Sequence, residues 1–344
     1  DQVYQAGYID LLGDFEIEEP HILVAENINR ITPDHTHCEI HETMIAGFLT
    51  NDNPFFNRNP ASRNTFEDAM KKQGIGYPET NFMRTFQDGL LLNYPQKPLC
   101  STRYSYELKS DELPAEQCMI VGFISDDNEE DCIIMNSSSI DRGLGQYTLV
   151  AIYSVEIGDD VILQVPEPGK CDFGELDLSL VSKKDRIVRK GAVVQKDQVL
   201  ICITTPNPRY DPESKNGAGK IEKELRNESI VYDSKHHGVV DEVQILENEA
   251  GRKVIRVRVL QKRRPMIGDK FSAKHGQKGT VAHLRRQEDM PFTQDGMPVD
   301  VIFGPAAIPS RMTAAFLMEI LMSKAVATTD RRKTDDCRDW IEKL

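Results

Sequence analysis

The apolar positions of this chain change rhythm along its length. Near the start they come in short runs, and His21 to Ala25 predicts a brief strand beside an acidic patch of Asp14, Glu16, Glu18 and Glu19. Thr43 to Leu49 and Thr65 to Lys72 fit short helices, the second capped by Asn64 or Thr65 and stopped near Gly74 and Gly76. From Gln117 the runs become strand-sized: Cys118 to Ile124, Cys132 to Met135, Tyr147 to Ile157, then Ala192 to Thr204. His237 to Leu246 and Lys253 to Leu260 predict a hairpin turning at Glu247 to Gly251. In its second strand Ile255, Val257 and Val259 alternate with Arg256 and Arg258, so one face is core and the other cationic. Finally Met312, Phe316, Leu317, Ile320, Leu321 and Ala325 recur at helical spacing, predicting a helix from about Ser310 to Thr328, with a second short helix up to Leu344.

This pattern describes a mixed α+β, β-rich chain. Residues 1–35 read as the end of a preceding unit, 36–116 as helices and loops, 117–304 as the strand-rich core and 305–344 as a helical segment. Turn-rich stretches at 166–184 and 206–227 read as loops inserted into that core. A length of 344 residues predicts more than one structural unit. Apolar runs such as Ala314 to Met318 are cut by charges such as Glu319, so no transmembrane segment is expected. Residue 1 is Asp and no basic-then-apolar leader follows, which predicts a fragment of a longer protein. The seven cysteines (Cys38, Cys100, Cys118, Cys132, Cys171, Cys202, Cys337) are odd in number, scattered and without a C-x-x-C pair, which predicts reduced thiols. Asn136-Ser137-Ser138 and Asn227-Glu228-Ser229 match the glycosylation pattern, but without secretion the match carries no weight.

Charge changes the picture more than composition does. The net charge is -13, yet Arg252 to Arg286 holds twelve Lys and Arg against one acid, Asp269. Inside it, Gly268-Asp269-Lys270-Phe271-Ser272-Ala273-Lys274-His275-Gly276-Gln277-Lys278-Gly279 alternates cations with glycines and small polar residues, which let a backbone approach a polyanion. The bland reading of Lys270 and Lys278 is a solubilising loop. The excess of cations concentrated there favours contact with a nucleic-acid backbone instead.

Other constellations each have a simpler reading beside the functional one. Gly217-Ala218-Gly219-Lys220 imitates a phosphate loop, but Ser214 stands where the first glycine belongs and Ile221 where Ser or Thr must hold magnesium. His35, His37, Cys38 and His41 have zinc-ligand chemistry at a spacing that fits no standard finger, so histidines satisfied in a core are the preferred reading. Asp126, Asp127, Glu129, Glu130 and Asp131 precede a strand and read either as a solvated acidic turn or as oxygen ligands for magnesium. Arg311, in the first turn of the predicted last helix, conflicts mildly with the helix dipole and so predicts an anion there. Arg63, before the predicted 65–72 helix, has the same layout.

Together, Gly268 to Phe271 (GDKF), His275 to Gly279 (HGQKG), Glu288 to Phe292 (EDMPF) and Ile308 to Thr313 (IPSRMT) resemble the second-largest, beta-type subunit of multisubunit DNA-directed RNA polymerases. Thr36 to His41 (THCEIH), Arg63-Asn64-Thr65 with Lys72-Gln73, Tyr94 to Leu99 (YPQKPL) and Asn136 to Gly143 (NSSSIDRG) extend the resemblance in the same order. It covers nearly everything from Gly7 to Thr328, in the wording of the eukaryotic, archaeal and large-DNA-virus branch. The resemblance implies a hybrid-binding region with a double-psi β-barrel, flanking helices and inserted loops between Gln117 and Gly304. It implies that Lys270 and Lys278 hold the RNA 3′ end and incoming nucleotide, and that Arg63 and Arg311 clamp the triphosphate. Gln73 joins the nucleotide- and RNA-binding set, while Glu130 and Asp131 approach a second Mg2+ carried by the nucleotide.

The implied partners are the largest polymerase subunit, which holds the permanent Mg2+, the other polymerase subunits, the DNA template, the RNA-DNA hybrid and NTPs. The isolated chain is therefore expected to be inactive. The family's amino-terminal half and its zinc-bearing carboxyl-terminal segment are not matched here. Location would be the nucleus for a cellular eukaryotic enzyme, and cytoplasm or virion for an archaeal or viral one. Two departures stand out: Asp126-Asp127-Asn128-Glu129 replaces the usual Gly-Tyr-Asn-Gln, and Gly304-Pro305 replaces an Asn-Pro. The alternative reading is a non-catalytic nucleic-acid-binding β-barrel module, which would bind hybrid with steep salt dependence and add no nucleotide in any assembly.

Overall fold

The computed structural model describes residues 5–328 except 14, 24–28, 30, 41–43, 45, 77–86, 108–114, 159, 168–170, 172–176 and 208–223. Its strands, in chain order, begin with β1 (Ile22–Leu23), β2 (His37–Cys38), β3 (Gly89–Leu92), β4 (Ile120–Gly122), β5 (Cys132–Asn136) and β6 (Tyr147–Ile157). There follow β7 (Val193–Val194), β8 (Val199–Ile201), β9 (Thr204–Pro206), β10 (Leu225–Asn227), β11 (Ile230–Val231), β12 (Gly238–Glu247) and β13 (Lys253–Arg263). The last three are β14 (Lys270–Ala273), β15 (Gln277–Arg285) and β16 (Val301–Phe303). Four helices matter for the site: α1 (Ala61–Lys71), α2 (Ser137–Arg142), α3 (Ala307–Arg311) and α4 (Ala314–Thr328).

The first large sheet follows from the alternation in β13. It is antiparallel throughout, in the order β3-β6-β13-β12-β7. Ile255, Val257 and Val259 are buried against Ile187, Val188, Leu200, Ile201, Ile203 and Tyr232. Each such side chain contributes about 1.5–3 kcal/mol by leaving water, and Arg256 and Arg258 are turned to the other face. The predicted hairpin is therefore present, with β12 and β13 joined in register from Glu247↔Lys253 to Val239↔Leu260.

The second large sheet is mixed, in the order β14-β15-β5-β16-β4, with β15-β5 and β16-β4 parallel. β5 lies at its centre and is covered on both sides. Ile133 and Met135 pack with Phe271, Val281 and Phe303, whereas Ile134 packs with Met290 and Ile302. A strand buried on both faces needs an unbroken apolar run, which is why Cys132 to Met135 shows no alternation. The order is open, with β14 and β4 at its edges, so the described strands form a curled half-barrel.

Several expectations are corrected. α1 begins at Ala61, so Arg63 lies in its first turn and not in a loop. Asn64 does not cap it, because its side chain is buried and donates to Phe56 O at 2.9 Å. The predicted terminal helix is broken: Met312 adopts a left-handed conformation at φ 54°, ending α3 at Arg311 before α4 starts at Ala314. Within 166–184, Leu178, Leu180 and Val181 pack into the core, so the described part of that stretch is anchored by its apolar side chains. The predicted 43–49 helix is a single turn at Phe48–Asn51, with 43 and 45 outside the described residues. Most of 206–227, with the 217–220 phosphate-loop mimic, and the helix predicted to reach Leu344 also lie outside them. Asn136 is fully buried and caps α2 by accepting from Ser138 N at 3.0 Å, which removes it as a glycosylation acceptor. The six cysteines among the described residues are free thiols. No described helix is long and apolar enough to cross a membrane.

Candidate functional site

Lys270 and Lys278 stand on one face of the β14–β15 hairpin. Lys270 pairs with Thr280 and Ser272 with Lys278, so the two lysines are diagonal neighbours on one face, about 7–8 Å apart and somewhat less at Cβ. Phe271, on the opposite face, anchors the hairpin in the half-barrel core. Both lysines are exposed, and neither side chain has a hydrogen-bond or ion-pair partner among the described residues.

The turn is a three-residue loop, Lys274-His275-Gly276, whose last residue takes a left-handed φ of 65°. A Cβ at Gly276 would lie 2.6 Å from Arg63 O, so glycine is required both by φ and by the approach of α1. Arg63 Nη1 in turn donates to Gly276 O at 3.3 Å, and its guanidinium stands 5.1 Å from the centre of the Phe66 ring. His275 is fully buried in this turn. Asn59 Oδ1 accepts from Ala315 N at 3.3 Å, which makes Asn59 Nδ2 the donor to His275 Nδ1 at 3.1 Å. That leaves His275 Nε2 to carry the proton donated to Glu319 Oε2 at 2.7 Å. The turn is thus pinned to α4.

Arg311 reaches the same place from the other side. Its Nη1 donates to Gln277 Oε1 at 2.5 Å, and its Nη2 donates to Asp131 Oδ1 in an ion pair. Gln277 is itself fixed, with Nε2 donating to Thr313 Oγ1 at 2.6 Å and to Ala307 O at 3.1 Å. Arg311 lies in the last turn of the short α3, where a cation suits the helix dipole, so the predicted conflict with a helix N-terminus is absent. The reason is Met312, which interrupts a helix that the apolar spacing alone would continue.

The acidic run is a folded turn. Asn128 is buried and donates to Phe123 O at 2.6 Å while accepting from Ser125 N at 2.7 Å. Gly304 lies directly beneath it, since a Cβ there would meet the carbonyls of Asn128 and Glu130 at 3.0 Å. Arg285 Nη2 pairs with Asp127 Oδ2 at 3.3 Å. Glu130 is exposed at a left-handed φ of 53° and precedes Asp131, the residue that pairs with Arg311.

A buried ionic cluster supports the hairpin from below. Asp52 pairs with Lys71 at 2.9 Å and with Lys274 at 3.2 Å, and accepts from Ser105 Oγ at 2.5 Å. Burial pushes the Asp52 carboxyl up, but Lys274, Lys71 and Ser105 outweigh it and hold it below its ordinary value. Burial, with the neighbouring Lys274, holds the Lys71 ammonium below its ordinary value although Asp52 and Glu67 pull it up. Glu67, on α1, accepts from Gly276 N at 3.3 Å, and burial pushes its carboxyl up to about 7.

The structure therefore brings Lys270, Lys278, Arg63, Arg311, Glu130 and Asp131 around one hairpin. Gln73 is exposed just past the end of α1, with no side-chain partner among the described residues, ten residues and about 15 Å along the helix axis from Arg63. His35 and His37 hydrogen-bond to Thr32 and Thr36 near the surface, so these two are not satisfied inside a core; His41 lies outside the described residues. Among the described residues no three His, Cys, Asp or Glu converge as a metal site. Sequence reasoning missed roles for Asn59, Glu67, Gln277 and Thr313. Gln277 and Thr313 lie inside the quoted motifs, which was the available signal.

The family described as RNA polymerase Rpb2, domain 6, matches residues 49–339. The chain is 40% identical over 300 residues to the DNA-directed RNA polymerase II subunit RPB2 of Schizosaccharomyces pombe, covering 85% of this chain and 25% of that one. It is 39% identical to the RPB2 of Eremothecium gossypii (90% and 26% covered) and 37% identical to the DNA-directed RNA polymerase subunit Rpo2 of Sulfolobus acidocaldarius (96% and 30%). The chain thus spans about a quarter to a third of the length of the curated relatives it matches. With more than half of its residues inside the family match, and the motif-bearing hairpin, acidic turn and α3–α4 segment folded around one another, the chain belongs to the Rpb2 family of second-largest RNA polymerase subunits.

Proposed function

We propose that this chain forms one wall of the active centre of a DNA-dependent RNA polymerase and works only when assembled with the largest subunit and the other polymerase subunits. One observation carries the reading most. Lys270 and Lys278 are unpaired on one exposed face, and the turn between their strands is flanked by Arg63 at Gly276 and Arg311 at Gln277. Four cations from three distant parts of the chain converge, which is what the phosphates of an RNA 3′ end and a triphosphate require. Lys270 and Lys278 then hold the RNA-DNA hybrid at its growing end. Arg63 and Arg311 orient the triphosphate of the incoming nucleotide, and exposed Gln73 serves the nucleic acid further along α1. The half-barrel is one part of a double-psi β-barrel, which is the closure that the resemblance implies.

Glu130 and Asp131 offer carboxylate oxygens, the donor chemistry magnesium takes, and would serve as two ligands of an ion completed by triphosphate and partner. When bound, such a Mg2+ neutralises charge on the phosphates. Asp131 has a second task in this chain, because it holds Arg311 in place when no phosphate is there. The compartment follows the polymerase, and relatives from both eukaryotes and archaea match.

The test is replacement of Arg311 and, separately, Lys278 by Ala in the assembled polymerase. Each is expected to lower kcat/KM for nucleotide addition about a hundredfold, and Arg311→Ala should act mainly through KM for NTP. Unchanged kinetics for both variants would defeat the reading in favour of a non-catalytic binding module.

A further inference from the structure

One carboxylate joins α1 to the middle of the β14–β15 hairpin. Glu67 is 4% exposed, its Oε2 accepts from Gly276 N at 3.3 Å, and the Ser272 hydroxyl stands 3.4 Å away, its one proton shared among Glu67, Met70 Sδ at 3.0 Å and Ala273 O at 2.9 Å. It follows Arg63 by four residues in α1, so both lie on the helix face turned to the hairpin and move with it as one rigid piece. Ser272 is the cross-strand partner of Lys278. The contacts of Glu67 therefore run directly between the element carrying Arg63 and the strands carrying Lys270 and Lys278. We propose that Glu67 is a positioning residue for nucleotide addition, setting the distance between Arg63 on the helix and the lysine pair on the hairpin. This rests on the polymerase reading of those cations.

The charged surroundings make the latch sensitive to its own ionisation. Lys71 comes from α1 itself and Lys274 from the hairpin turn, while Asp52, from the turn after Phe48–Asn51, pairs with both lysines. His275 faces Asn59 and Glu319, away from this cluster. Two lysines against Asp52 alone leave a buried positive charge, and an ionised Glu67 balances it. Burial opposes that ionisation and pushes the carboxyl up to about 7, with Lys71, the Gly276 N–H, Ser272 and Lys274 pulling the other way. The ionised form makes charge-assisted hydrogen bonds to Gly276 and Ser272, and the protonated form makes weaker ones. The sign for folding is separate. Between the ordinary value of 4.5 and about 7 the folded chain binds a proton that the unfolded chain does not, so this contribution to stability is lost as pH rises through that window.

The experiment uses the polymerase assembled with its partner subunits and compares wild type, Glu67→Gln, Glu67→Ala, Lys278→Ala and Arg311→Ala. Glu67→Ala is expected to lower kcat/KM for NTP about tenfold and to speed amide exchange across residues 270–278. Glu67→Gln keeps an acceptor for Gly276 but cannot ionise. It should stay within about twofold of wild type near pH 6 and lack the step near pH 7 in the wild-type profile. A Glu67→Gln profile superimposable on wild type overturns the proposal, as does a Glu67→Ala enzyme within about twofold of wild type. Should Glu67→Ala fail to assemble, the glutamine profile decides alone. Lys278→Ala separates the two readings: full activity there, beside an equally unaffected Arg311→Ala, defeats the polymerase role, whereas loss of activity in Lys278→Ala beside unaffected Glu67 variants defeats only the latch.

Discussion

Two hairpins share the basic stretch from Arg252 to Arg286, and Arg252 and Arg258 on the first are placed oppositely to Lys270 and Lys278 on the second. On β12–β13, Arg258 is 12% exposed and is held by Asp241 and by Glu242 at 3.0 Å, while Arg252 at its turn pairs with Glu156 at 3.2 Å. On β14–β15, Lys274 is consumed by Asp52 but Lys270 and Lys278 face outward without an acid. A count of charges along the chain gives both hairpins the same sign. Only the folded neighbours decide which charge remains for a ligand, because a paired cation must lose its partner before it can bind a phosphate. The partners of Arg258 lie on the adjoining strand β12 and that of Arg252 on β6, so these two arginines belong to the scaffold.

The turns differ as sharply, which gives the largest expected effect. Gly251 and Gly276 both adopt left-handed φ, at 74° and 65°, but a Cβ at Gly251 would meet its nearest atom at 3.9 Å and one at Gly276 would meet Arg63 O at 2.6 Å. Gly276→Ala should therefore cost more than about 3 kcal/mol, from conformational strain plus displacement of α1, whereas Gly251→Ala should cost about 1 kcal/mol from strain alone. Denaturant midpoints of the two variants measure this. Equal losses would show that the close approach of α1 has no energetic weight.

How far the sequence foretold this depends on the range of the interaction. The alternation of Ile255, Val257 and Val259 with arginines was legible because strand period is a local property. The break at Met312 was not, since Met312 and Phe316 continue the apolar spacing and nothing in composition marks a left-handed residue. Arg311 meets Asp131 across 180 positions and Gly276 meets Glu67 across 209, and no window along the chain contains either pair. Glu67 reads as an ordinary exposed helix position until the hairpin is laid over it. The cations were found from motif resemblance and charge density, while the groups that orient them, Gln277, Asn59 and Glu67, could be assigned only in three dimensions.

The next effect tests whether Arg258 is scaffold. Arg258→Ala leaves Asp241 and Glu242 facing each other half-buried, and should lower stability by about 1–3 kcal/mol in urea unfolding with nucleotide addition by the assembled polymerase unchanged. Lys278→Ala should do the reverse, since an exposed lysine without a partner has nothing to lose in the fold. If Arg258→Ala slowed nucleotide addition without destabilising the chain, the division of the basic stretch into scaffold and ligand-facing halves would fail.

The smallest effect is read in salt. Each phosphate contact made by a lysine adds one released counterion, so Lys270→Ala and Lys278→Ala should each reduce the slope of log affinity against log salt for an RNA-DNA hybrid by about 0.7–0.9. Arg258→Ala should leave that slope where it was, because an arginine already neutralised by two carboxylates displaces no counterion from the nucleic acid. Measuring the slope separates contact from general attraction. A loss of net charge alone shifts affinity by the same amount whichever cation is removed, and would move all three variants together. A change confined to the two lysines, each by one contact, means that phosphates are touched at the outer face of β14–β15 and not by Arg258 on β13.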